Sequence, residues 1–151
     1  MITATLQTNG DAANQWHSGR VLINEAIRRT RDWIRSESHC GTPCYRDLAL
    51  QLRDLSASLR AHFQHGNELY ESLRQELWCV EVESAQRQKS ADEHHLLVRL
   101  DAFIVCLEEV EPPFVTFEAA QDQLEWFFDE LDQLEERESD SFEWLLQSGC
   151  A

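Results

Sequence analysis

Apolar residues recur along this chain at helical steps in four separate stretches. No Val/Thr-rich alternating segment competes for a sheet. In the first stretch Trp16, Ile23, Ile27, Thr30 and Ile34 fall on one face, with Leu22, Ala26 and Trp33 beside it. This predicts a helix from about Asn14 to Glu37. The second is the most regular. Leu48, Leu52, Leu55, Leu59, His62, Gly66, Leu69 and Leu73 alternate steps of four and three, a heptad-like seam within a helix from about Pro43 to Val80. Thr42 is placed to cap it and Pro43 to open it. The third helix is expected from about Ser90 to Val110, with Glu93, Leu97, Leu100, Ile104 and Leu107 inward, and Glu111-Pro112-Pro113 ends it. Leu124, Phe127, Phe128, Leu131, Leu134, Phe142 and Leu145 mark a fourth helix from Thr116 to about Gln147, with a kink expected at Ser139-Asp140-Ser141. Residues 1–13 read as a flexible polar lead-in and 83–89 as a polar connection. Short connections between four amphipathic helices predict an all-α, antiparallel up-down-up-down four-helix bundle, a single domain over residues 14–151.

Scarce turn formers, with 5 Gly and 3 Pro in 151 residues, agree with a few long helices. Charge divides the chain. Residues 1–60 carry 8 Arg/Lys and 6 Asp/Glu, a balance of +2; residues 61–151 carry 5 and 22, a balance of −17. The fourth stretch alone holds 11 acids between Phe117 and Glu143 against the single Arg137. Such a surface repels phosphate backbones, so no nucleic-acid partner is expected. It suits a solvated face, and it could also attract metal cations or a basic partner. No apolar run reaches membrane-spanning length, and Met1–Leu6 has neither the basic flank nor the apolar centre of a secretory signal, so no membrane partner and a cytoplasmic location are expected. The five cysteines, Cys40, Cys44, Cys79, Cys106 and Cys150, then read as reduced thiols. Cys106 lies in an apolar run and reads as a small core residue. His39-Cys40 with Cys44 has C-x3-C spacing and no second pair, which reads as a loop with two thiols rather than a zinc site.

The chemistry-bearing feature is the break in the second helix's seam. His62 and Gly66 occupy inward positions between leucines. An inward histidine is either a hydrogen-bonded core group or a metal ligand. The residue one turn later is a glycine, which has no side-chain donor to offer. His65 falls one step off the stripe and reads as a surface residue, and the five tryptophans (16, 33, 78, 126 and 144) read as packing anchors. There is no Gly-rich phosphate loop and no recognisable nucleophile motif, so the chain leans to a non-catalytic role, with enzymatic activity left open.

Three segments together resemble the hemerythrin-like (HHE) cation-binding family over roughly residues 14–147. Arg60-Ala61-His62-Phe63-Gln64-His65-Gly66-Asn67 resembles its second-helix pattern H-F-x-H-E-E. Asp92-Glu93-His94-His95-Leu96-Leu97 resembles the opening of its third helix. The run from Glu125 to Glu136 resembles its fourth. The resemblance implies a bundle holding iron through histidines and carboxylates, with a metal ion and dioxygen as partners and oxygen, iron or redox sensing as the role. Iron and peroxide chemistry would need three convergent ligands and an open position. Carried over by position, the metal ligands are His62, one of His94 and His95, Glu130 at a histidine position and Glu135 at the carboxylate position, with Glu93 as an added donor. Two registers are open on the first helix. His17 is nearest by position, whereas the apolar spacing places Gly19 at the ligand site. Gly66 stands where the bridging glutamate belongs. Two readings follow: a remodelled, carboxylate-richer site for one metal, or a metal-free bundle acting as a protein-interaction module. In the second, His62 donates to an inward carboxylate such as Glu130.

Overall fold

The computed structural model describes residues 2–37, 45–76 and 80–148. Among these residues the fold is all-helical: α1 spans Ile2–Glu37, α2 Tyr45–Glu76, α3 Val80–Glu108 and α4 Phe117–Ser148. They form a four-helix bundle. No described helix is long and apolar enough to cross a membrane.

The boundaries differ from the sequence reading in three places. α1 runs from Ile2 rather than Asn14. The lead-in contains no proline, and Ala4, Leu6, Gln7, Ala12 and Ala13 are strong helix formers that offset the single Gly10. α3 begins at Val80, ten residues before Ser90 and at the residue expected to close the second helix, so the expected polar connection is helical and Lys89 joins the inner stripe. α4 passes through Ser139-Asp140-Ser141 without ending, since none of the three removes a backbone donor. Its start is as expected: Thr116 Oγ1 accepts from the Ala119 N–H at 3.1 Å, an N-cap just after the Pro112-Pro113 break. Thr42, Pro43, Cys40 and Cys44, with Cys79 and Cys150, lie outside the described residues.

Each stripe is buried where its periodicity places it, except that on α3 Leu96 rather than Leu97 takes the fully buried position. One apolar cluster gathers Ile23, Ile27, Ile34, Leu48, Leu52, Leu55, Leu59, Leu100, Ile104, Leu124, Phe128 and Leu131 with their neighbours. A second gathers Trp16, Leu69, Tyr70, Leu73, Phe142 and Leu145. Polar ties fix the register. Arg53 meets Glu108, Ser56 and Arg60 meet Asp101, and Asn67 meets Lys89, so partners on α3 descend as α2 climbs. Arg31 on α1 grips Glu125 on α4 with both Nε and Nη2, at 3.1 and 2.8 Å.

Candidate functional site

Between the two apolar clusters, each helix changes character at one level. On α1 the stripe passes from Trp16 to Ile23 through Gly19; on α2 from Leu59 to Leu69 through His62 and Gly66. On α3 Lys89 and Glu93 precede Leu96, and on α4 Glu135 and Glu138 separate Leu134 from Phe142. The result is a buried polar layer: His62, Lys89, Glu93, Glu135 and Glu138 are all under 5% exposed. Buried charges at this density persist only when they meet partners.

Two pairs organise the layer. The His62 imidazole meets the Glu135 carboxylate through Nε2, at 2.8 Å to Oε1 and 3.0 Å to Oε2. The ring lies against the Trp16 indole, centroids 5.4 Å apart and 29° from parallel. Its Nδ1 edge faces the backbone of Gly19, where a built Cβ would lie 2.6 Å away. The second pair is Lys89 with Glu93. The ammonium lies 2.7 Å from both carboxylate oxygens, 3.2 Å from Asn67 Oδ1 and 3.5 Å from the Phe63 carbonyl. The rings of Phe63 and Tyr70 present their faces to it at 6.0 and 5.7 Å. Gly66 makes room for this head group.

Glu138 is the odd member. Neither of its oxygens has a hydrogen-bond partner among the described residues. Burial pushes its carboxyl up to about 9; Lys89 opposes the rise, Glu93 and Glu135 add to it, and the Trp16 indole N–H opposes it weakly. Burial likewise raises Glu93 to about 7, against the pull of Lys89. Three carboxyl groups share this layer with one ammonium and one imidazole, and burial beside Glu93 and Glu135 favours the neutral form of Glu138.

The residues carried over for a metal do not converge. His62 and Glu135 meet, and Glu93 lies in the same layer but is held by Lys89; the others are elsewhere. Glu130 points outward and pairs with Arg99, because it lies five residues before Glu135 and so on a different face of α4. The carboxylate partner of His62 is therefore Glu135, not Glu130. His94 and His95 are exposed beside the buried Glu93, and His17 is exposed beside the buried Trp16. Of the two α1 registers, the one that turns Gly19 toward His62 is observed. His65 is also on the surface.

No protein-family model, curated protein or solved structure matches the chain.

The iron implied by the hemerythrin resemblance can be set against these donors. Among the described residues no group of three or more His, Cys, Asp or Glu side chains is arranged to hold a metal ion. The deciding feature is Lys89. Its ammonium occupies the oxygen-rich part of the layer and ties up both oxygens of Glu93. The residues as placed do not fit iron.

Sequence reading missed Lys89 and Glu138. Both carried a signal. Lys89, Glu93, Leu96 and Leu100 continue the α3 stripe backward at steps of four, three and four, and Leu131, Glu135, Glu138, Phe142 and Leu145 form an unbroken seam of fours and threes.

A second feature lies away from the layer. α3, α4 and the Pro113-Phe114 segment enclose an apolar groove of about 560 Å³, lined by Phe103, Cys106, Phe114, Leu124, Trp126 and Phe127 among others. Trp126 is 70% exposed at its edge. Cys106, expected in the core, is a half-buried free thiol of this groove.

Proposed function

We propose that the chain is a non-catalytic, metal-free protein-binding module on an antiparallel, hemerythrin-like scaffold, in which an ion-pair layer stands where the family holds iron. The opposed register of α2 and α3 supports the antiparallel sense.

The observation that carries the reading is Trp126. A bundle with this much apolar surface buried leaves the Trp126 indole 70% exposed on the rim of an apolar groove. Tryptophan is the side chain most often found anchoring protein interfaces. Within two turns of it on α4 stand the exposed acids Asp122 and Asp129, with Glu118 a little further along. The complementary occupant is a basic, apolar helical segment of another protein. It would lay its apolar side into the groove and its Lys or Arg side chains against the acids of α4.

Calorimetry of the full chain with a synthetic amphipathic Lys/Leu helix tests this. Binding in the micromolar range is expected, weakening with salt and about tenfold with Trp126→Ala. Equal binding of a Glu/Leu peptide of the same pattern, or indifference to Trp126→Ala, would overturn the reading.

A further inference from the structure

The polar layer carries an inference independent of the groove. We propose that Lys89 is the resident cation of a carboxylate–histidine site, tethered to α3, and that it closes that site to free divalent metal ions.

The surroundings of the Lys89 ammonium are those of a cation site rather than of an ordinary helix-surface ion pair. A carboxylate, a side-chain amide and a backbone carbonyl all present oxygens to it, at 2.7, 3.2 and 3.5 Å. These donor types are the ones hard divalent ions select. The ligands come from α2 and α3, and the carboxylates of Glu135 and Glu138 on α4 lie close enough to act electrostatically on Glu93 and on each other. His62 completes the layer from α2.

Charge makes the same point. The layer holds three carboxylates, and one ammonium balances one of them. Glu138 has no hydrogen-bond donor on either oxygen. The carboxyl set is thus larger than the lysine needs: Glu93 takes the ammonium, Glu135 the imidazole, and Glu138 is left with neither. Gly66 adds a spatial argument. A Cβ there would lie 2.9 Å from Nζ and 3.0 Å from Cε, so the residue is small where the ammonium must pass. Loss of the Lys89 side chain would leave the oxygens of Glu93, Asn67 and Phe63 without their cation, in the layer that also holds Glu135 and Glu138.

Lys89→Ala tests the assignment, with manganese(II) as the probe. It favours oxygen and nitrogen donors over thiolates, which keeps the five cysteines out of the measurement. The wild-type chain is expected to leave the free Mn(II) resonance unchanged. The folded Lys89→Ala variant is expected to remove about one equivalent of it and to gain several degrees in Tm with Mn(II). Adding Glu93→Gln should weaken that binding at least tenfold. If Lys89→Ala does not fold alone, Lys89→Ala with Glu138→Gln carries less repulsion and keeps Glu93, Glu135 and His62 as donors. Three results would overturn the proposal: a folded variant that binds no more Mn(II) than wild type, binding that survives Glu93→Gln unchanged, or failure of both variants to fold even with millimolar Mn(II). None of these would touch the reading of the groove, because Trp126 and its neighbours take no part in them.

Discussion

The ammonium of Lys89 fills the volume that a side chain at position 66 would need: a Cβ on Gly66 would stand 2.9 Å from Nζ. Nζ is the end of a flexible chain, but its hold on both Glu93 oxygens and the nearness of Trp16 Cδ1, 3.3 Å from the same Cβ, leave it nowhere to retreat. Gly66→Ala would gain about 1 kcal/mol in helix propensity and lose more through displaced contacts. A net destabilisation of about 1–2 kcal/mol, or a Tm lowered by roughly 2–8 °C, is expected from thermal melts. In a Lys89→Ala background the same change should become neutral or stabilising. Persistence of the loss there would show that Gly66 serves something other than the lysine.

Gly19 stands in a harder version of the same relation to His62. The built Cβ would lie 2.6 Å from Nδ1 and 3.4 Å from Cε1 of a ring held between Trp16 and Glu135. A ring wedged on both sides has no soft exit, so Gly19→Ala should cost about 2–3 kcal/mol, more than Gly66→Ala. His62→Ala also destabilises, by leaving Glu135 buried without its partner. The two should be non-additive, with a coupling of about 1–3 kcal/mol in a urea-denaturation double-mutant cycle. Simple additivity would mean that the Gly19–His62 contact does not limit the packing.

These two glycines explain why the fold could be read from the sequence and the site only in part. Four helices followed from stripes whose period survives substitution, because Thr30, His62 and Gly66 sit in step with the leucines and isoleucines around them. Which polar residues turn inward was harder. α4 carries so many acids that Glu138 passed as part of a solvated face, although it lies seven residues after Leu131 and four before Phe142 on one seam. Lys89 was hidden by its neighbours. A polar run from Glu83 to Lys89 has the composition of a connection, and lysine seldom lies inside a core. Glu130 was assigned by position in a family pattern, and the pattern does not encode that Arg99 draws it to the surface.

Glu138 makes the fold sensitive to alkali. A carboxyl whose pKa rises on folding stabilises the fold fully below its unfolded value. That contribution fades as pH climbs toward the folded value, so stability is lost from about pH 4.5 up to about 9. The groups facing it are Lys89 and Glu93 on α3, Glu135 on α4, Trp16 on α1 and Tyr70 on α2; burial holds the Tyr70 phenol up near 12, so it stays neutral across this range. Glutamine cannot ionise. Glu138→Gln should therefore match wild type near about pH 5 and exceed it by a few kcal/mol near pH 9, with a flatter profile of urea midpoints. Glu93, raised to about 7, leaves a residual slope below neutrality. A variant as pH-dependent as wild type between pH 7 and 9 would place the titrating group elsewhere.

Trp16 and Trp126 are expected to respond in opposite ways to truncation. Trp16 is fully buried, stacks on His62 and meets Phe142 edge-on with centroids 5.0 Å apart. Trp16→Ala removes the side chain that joins the polar layer to the second apolar cluster, and a loss of about 3–5 kcal/mol is expected. Trp126 keeps most of its surface in water already, so Trp126→Ala should stay within about 0.5 kcal/mol of wild type. A packing anchor and a binding anchor separate on this measurement. If Trp126→Ala lowered the urea midpoint as Trp16→Ala does, the indole would be part of the scaffold, and the groove beside it would lose its claim as the working face of the bundle.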